Sequence, residues 1–213
     1  EPERLTRYGG DLSGPRYTLD GQWIVFSTDS PKDGSRVRRL RHDASEEQVL
    51  LDDTFSKSLS FTPDDRALYV QQTEINQRYY LHNSLVRYSL RDGSAVPVKL
   101  RPPCEEEDRL GCSYAAEQAR FVAPSGSLRA RDPDVSPDGR HLVFVQAPRG
   151  SNQLVVAELV DEGRALVVPH VILEAEPDVQ LSNPRWSPDG QKIAISRFAG
   201  DLLAVRRPAR VGQ

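Results

Sequence analysis

Two cysteines, Cys104 and Cys112, enclose an acidic run, Glu105, Glu106, Glu107 and Asp108. In an oxidising compartment the pair would close a disulfide contributing about 2.6 kcal/mol on the chain-entropy model, pinning an acidic loop against a basic partner or a cation. With reduced thiols the same segment is a solvated insertion. The spacing matches no zinc pattern, and nothing fixes the carboxylates in a cage, so no metal is expected there. Tyr79 and Tyr80 are either an aromatic platform for a ligand or peptide, or one packed and one exposed ring. The histidines His42, His82, His141 and His170 are scattered, with no His-x-x-x-His spacing. No Gly-x-Ser-x-Gly elbow occurs; Ser125 and Ser127 in APSGSLR lack that context. DPDVSPDG, from Asp132, lacks the alternating acids and terminal glutamate of a calcium loop and reads as a turn. Arg36, Arg38, Arg39 and Arg41 are expected to form a solvated face. No Gly-rich phosphate loop follows a strand, and no cofactor is expected. These side chains point to binding more than to catalysis.

The elements that would position them repeat. Four segments align without gaps: GPRYTLDGQWIVFST from Gly14, SLSFTPDDRALYVQQ from Ser58, DPDVSPDGRHLVFVQ from Asp132 and NPRWSPDGQKIAISR from Asn183. Each reads as a short strand, a Ser/Thr-x-Asp-Gly corner and an apolar strand. Pro63, Pro137 and Pro188 pre-set φ for the first corner position. Asp20, Asp64, Asp138 and Asp189 cap free backbone N–H groups, and Gly21, Gly139 and Gly190 supply a positive φ. Asp65 and Leu19 depart from this pattern. Tyr17, Phe61, Val135 and Trp186, just before the corners, are expected to plug between neighbouring sheets. Further β-rich runs follow each hairpin, and the corner aspartates lie 44, 74 and 51 residues apart. A unit of about 40 to 50 residues with four strands is the size of a propeller blade.

The 213 residues carry 28 Lys+Arg against 31 Asp+Glu, a net charge of -3, which argues against a general nucleic-acid binder. Hydrophobic residues make up 38%, enough for a core, yet no run approaches the roughly 20 apolar residues of a membrane span. Methionine is absent, even at position 1, which is read as the mark of a processed or excised chain. EPERLTRYGG lacks the pattern of a signal peptide, so any export signal is expected to have been removed.

The SPDGRHLVF and SPDGQKIAI segments resemble the WD-like repeat of TolB-type propellers. The resemblance implies an all-β fold, a propeller of four-stranded antiparallel blades with about four visible. They would span about 7–54, 55–100, 132–176 and 183–213. Residues 101–131 would form an inserted loop and residues 1–6 an outer strand, either closing the ring or ending an upstream blade. Successive strands alternate direction, so the four corners share one face and the irregular loops, with Tyr79, Tyr80 and the acidic run, gather on the other. Long loops on a rigid scaffold are where binding concentrates. The resemblance also implies a periplasmic or cell-envelope setting. Two roles follow: a non-catalytic interaction scaffold for another protein, or the non-catalytic propeller gating a larger serine peptidase or other hydrolase.

Overall fold

The β-rich runs bounded by turn residues leave each short strand few options but to pair with its neighbour, and they do. A computed structural model describes residues 4–18, 20–52, 56, 58–75, 81–100, 128–147 and 152–199. No α-helix occurs among them. The first sheet is an antiparallel meander of β1 (Asp11–Tyr17), β2 (Trp23–Ser30), β3 (Gly34–Arg41) and β4 (Glu47–Leu51). The second follows the same order with β5 (Leu59–Phe61), β6 (Ala67–Ile75), β7 (Leu81–Ser89) and β8 (Ala95–Pro97). The third contains β10 (Ala130–Val135), β11 (His141–Gln146), β12 (Gln153–Val160) and β13 (Ala165–Glu174). A short β9 (Lys99–Leu100) joins its outer edge, parallel to Ala165 and Leu166. The described part of the fourth is the hairpin β14 (Val179–Trp186) and β15 (Ile193–Ala199).

Three first strands begin ahead of the aligned repeats, β1 at Asp11, β10 at Ala130 and β14 at Val179, and each carries a bulge. Register shifts fall between Ser13 and Arg16, between Arg131 and Asp134, and between Ser182 and Arg185. Each shift contains a left-handed residue, Gly14, Asp132 or Asn183, at φ 60, 53 and 51, followed by Pro15, Pro133 or Pro184. The extra residue leaves one ladder position unpaired, and there proline's missing N–H costs nothing. Arg4, Leu5 and Thr6 carry no strand assignment among the described residues.

The core lies between sheets, because the central strands are apolar on both faces. On β11, Leu142 and Phe144 pack toward the second sheet with Tyr69, Leu85, Val135 and Val155. The alternate residues Val143 and Val145 pack toward the fourth with Val179 and Leu181. The period of two in side-chain direction thus makes one strand serve two interfaces. Val25, Val37, Leu59, Leu68, Val70 and Tyr88 fill the space between the first and second sheets. Neighbouring sheets meet mainly through their first strands, β10 packing on β5 on one side and on β14 on the other. Phe61, Val135 and Trp186 lie in or against these cores, but Tyr17 is 63% exposed.

Candidate functional site

All four corners are built alike. The Thr18 hydroxyl donates to Asp20 Oδ1 (2.5 Å) and accepts from the Trp23 N–H (3.1 Å), while the same Oδ1 accepts from the Gln22 N–H (2.9 Å). Thr62 with Asp64, Ser136 with Asp138, and Ser187 with Asp189 repeat the arrangement. Gly21, Gly139 and Gly190 have φ of 66, 72 and 69, and Asp65 takes the same region at 52, where aspartate is better tolerated than most residues. The hydroxyl joins the capping carboxylate to the first N–H of the next strand, a double role the sequence reading missed.

The hydroxyl hydrogen bond is the leading cause that holds Asp20, Asp64, Asp138 and Asp189 below the usual carboxylate range, with backbone N–H donation adding to it. A depressed folded pKa contributes stability that is present above the unfolded pKa and is lost as pH falls through the folded one. Acid titration of the urea midpoint checks this. Ser136→Ala is expected to flatten the decline between about pH 5 and pH 2, because it removes the main cause of the Asp138 shift. An unchanged acid limb would contradict it.

A second cluster ties three sheets together at their first strands. Asp134 Oδ1 accepts from the Ser60 hydroxyl (3.2 Å), and Oδ2 accepts from the Trp186 N–H (2.8 Å). The Asp134 carbonyl accepts from the Trp186 indole N–H (3.2 Å), and Ser60 Oγ accepts from the Val135 N–H (3.0 Å). Arg185 Nη1 lies 3.9 Å from Asp134 Oδ1. Burial pushes the Asp134 carboxyl up, against the pull of the Trp186 and Ser60 donors and of Arg16. The signal was present in the aligned repeats, where Arg16, Ser60, Asp134 and Arg185 occupy one column: an acid flanked by donors.

Between the second and third sheets, on the side of the corners, lies a cleft of about 650 Å³. Tyr69, Arg87, Arg91, Asp138, Gly163 and Arg164 are among its walls. Tyr69 is fully buried, and its hydroxyl donates to the Gly163 carbonyl at 2.6 Å. Burial pushes the Tyr69 phenol up to about 12, against the pull of the Arg87 charge. The rim is a left-handed turn in which Asp161, Glu162 and Gly163 have φ of 52, 56 and 80.

No family model and no curated protein matches the sequence. Solved structures do. The β-propeller domain of the trilobed protease from Pyrococcus furiosus, described as having an open velcro topology, matches with a TM-score of 0.52 at 10% identity, over 87% of this chain and 48% of that one. A putative TolB from Agrobacterium tumefaciens gives 0.53 at 13% identity, over 93% and 74%. A puromycin-hydrolysing peptidase from Mycobacterium tuberculosis gives 0.54 at 17% identity, over 90% and 28%. This is the β-propeller fold, which the putative TolB shares. The likeness is one of fold, and the chain spans about half the length of the Pyrococcus domain.

In propeller terms, the four corners with Asp20, Gly21, Asp64, Asp138, Gly139, Asp189 and Gly190 begin the second strand of each blade. The cleft lies on their side, between blades two and three. Tyr79, Tyr80, Cys104, Glu105, Glu106, Glu107, Asp108 and Cys112 lie outside the described residues. Among the described residues, no group of three or more His, Cys, Asp or Glu could hold a metal ion. No helix among them is long and apolar enough to cross a membrane.

The arginine run is a correction. Arg38 is only 8% exposed, pairs with Glu47 at 2.5 Å and lies 5.0 Å from the centre of the Tyr8 ring. Burial, with help from Glu47, pushes the Tyr8 phenol up to about 12. Arg39 and Arg41 lie 4.3 and 4.9 Å from the centre of the Trp23 ring on the other face, and Arg36 pairs with Asp52 at 2.8 Å. The third strand of a blade is covered on both sides, so alternation gives each arginine a partner where a solvated face was expected.

Proposed function

We propose that this chain is a non-catalytic, exported propeller that serves as an interaction scaffold, binding another protein through its loop-rich face. The observation that carries this is the β6–β7 hairpin. Among the described residues β6 and β7 remain paired as far as Ile75 and Leu81, so the hairpin ends on the face opposite the corner at Asp64. Tyr79 and Tyr80 belong to the connection between its two strands, and tyrosine supplies large contact area at low entropic cost. The acidic run Glu105–Asp108, expected from the sequence to belong to the loops of that face, would favour a basic partner, and a Cys104–Cys112 disulfide would suit export. The proposed organisation is four blades with residues 101–131 inserted between the second and third.

A photo-crosslinking residue at position 79 or 80 tests this in the source cells. The expected result is one discrete protein adduct from these positions and none from position 191 on the corner face. Equal labelling at both faces, or none at 79 and 80, would overturn the reading.

The likeness to the puromycin-hydrolysing peptidase, of which this chain matches 28%, favours a second reading as the non-catalytic propeller of a larger hydrolase. An α/β-hydrolase pattern in the reading frame beyond Gln213 would select it.

A further inference from the structure

We propose that the cleft between blades two and three is a binding site for a small oxyanion, a phosphate or the carboxylate of a small organic acid, with Arg87 as its principal anchor. This goes beyond the scaffold reading and concerns the opposite face.

The argument begins with the ladder. Arg39 stands opposite Val25 in blade one, and Arg87 stands opposite Tyr69 in blade two. Val25 and Tyr69 are equivalent, each five residues after its corner aspartate, so the two arginines are equivalent too. Their surroundings differ. Arg39 lies over Trp23 and donates through Nε to Gln48 Oε1 at 2.8 Å. Arg87 is half-buried with its guanidinium against the Tyr69 hydroxyl, whose phenol it pulls down by charge and hydrogen bonding, and its Nε is buried without a hydrogen-bond partner. Among the described residues no carboxylate pairs with it. A guanidinium presents five N–H donors in a planar fork that matches a carboxylate or phosphate, and leaving such donors unmet inside a protein is costly.

The walls are committed elsewhere. Asp64, Asp92 and Asp138 cap their own turns, and Glu162 pairs with Arg164 at 3.2 Å. The carboxylates that line the cleft are thus held by local donors, while Arg91 stands exposed at the same cleft. The volume of about 650 Å³ falls within the roughly 300–1,000 Å³ of small-molecule sites. The floor is also fixed in place: a Cβ at Gly163 would come 3.2 Å from Arg87 Nε, so backbone closes over the guanidinium on one side and leaves the cleft as its open side.

The test is a nuclear magnetic resonance titration of the full chain with inorganic phosphate and with succinate, against sodium chloride at equal ionic strength. The expected result is a saturable shift of the Gly163 and Arg164 amides with at least one oxyanion and not with chloride. Phosphate alone or succinate alone identifies which source of the oxyanion the site takes. Arg87→Gln is expected to weaken binding about tenfold or more, since it removes charge-assisted hydrogen bonds. Arg91→Gln, at an exposed position, is expected to weaken it about threefold and to keep the fold. No saturable shift with either oxyanion, or equal binding by wild type and Arg87→Gln, overturns the proposal. Should Arg87→Gln fail to fold, Arg91→Gln decides: weaker binding supports the site, and unchanged binding sinks it.

Discussion

Gly163→Ala is expected to destabilise the chain by roughly 3 to 4 kcal/mol, read as a lower urea midpoint with an unchanged slope. Two separate costs add. Gly163 has φ 80, where an L side chain is strained by about 1 to 2 kcal/mol. A Cβ there would also stand 2.3 Å from the Tyr69 hydroxyl oxygen. The hydroxyl cannot swing aside, because Tyr69 is fully buried among Leu85, Leu142 and Phe144. The turn must move instead, breaking the 2.6 Å hydrogen bond from Tyr69 to the Gly163 carbonyl.

A double-mutant cycle separates the two costs. In a Tyr69→Phe background the oxygen is gone, and the nearest remaining ring atom would be 3.5 Å from the new Cβ, an ordinary contact. Gly163→Ala should then cost the backbone strain and the 3.2 Å approach to Arg87 Nε but no longer the clash with the hydroxyl, so the pair should lose about 1 kcal/mol or more less than the sum of the single losses. Additive losses would mean that the contact carries no strain, and a fully stable Gly163→Ala would refute the whole account.

What was legible in the sequence is what depends on neighbours in the chain. Ser/Thr-x-Asp-Gly closes a corner with groups no more than five residues apart, so the capping role of Asp20 declares itself from spacing, while the bond between Thr18 and the Trp23 N–H needed the strand pairing to show it. The doubly apolar β11 was legible for the same reason, since HLVFV has no polar alternate face. The bulges were half legible. Gly14, Asp132 and Asn183 each precede a proline, while the second repeat has Leu59 there and keeps an unshifted register from Leu59 to Phe61. What pairs across blades left no local trace. Tyr69 and Gly163 are 94 residues apart, and the parallel contact of β9 with β13 depends on where the chain runs after the second blade closes. The cleft follows from these distant meetings, so no local stretch of sequence announces it.

Asp134 offers the second large effect, because its carboxylate serves donors from the blades on either side. Asp134→Ala leaves the Trp186 N–H without its acceptor and the Ser60 hydroxyl without its partner, and is expected to cost about 3 kcal/mol. Asp134→Asn keeps one acceptor oxygen and should cost about 1 kcal/mol near neutral pH. The two variants also separate charge from hydrogen bonding. Burial raises the folded pKa of Asp134 above its unfolded value, so the native chain holds this proton more tightly. Its contribution to stability therefore falls as pH rises through the interval between the two values, opposite in sign to the corner aspartates. Subtracting the urea midpoint of Asp134→Asn from that of wild type cancels the corner residues common to both. The difference should decline from about pH 3.5 upward and level off once Asp134 is ionised in both states. A difference that instead grew with pH would mean that the Trp186 and Ser60 donors outweigh burial, making the ionised carboxylate the favoured form between the blades.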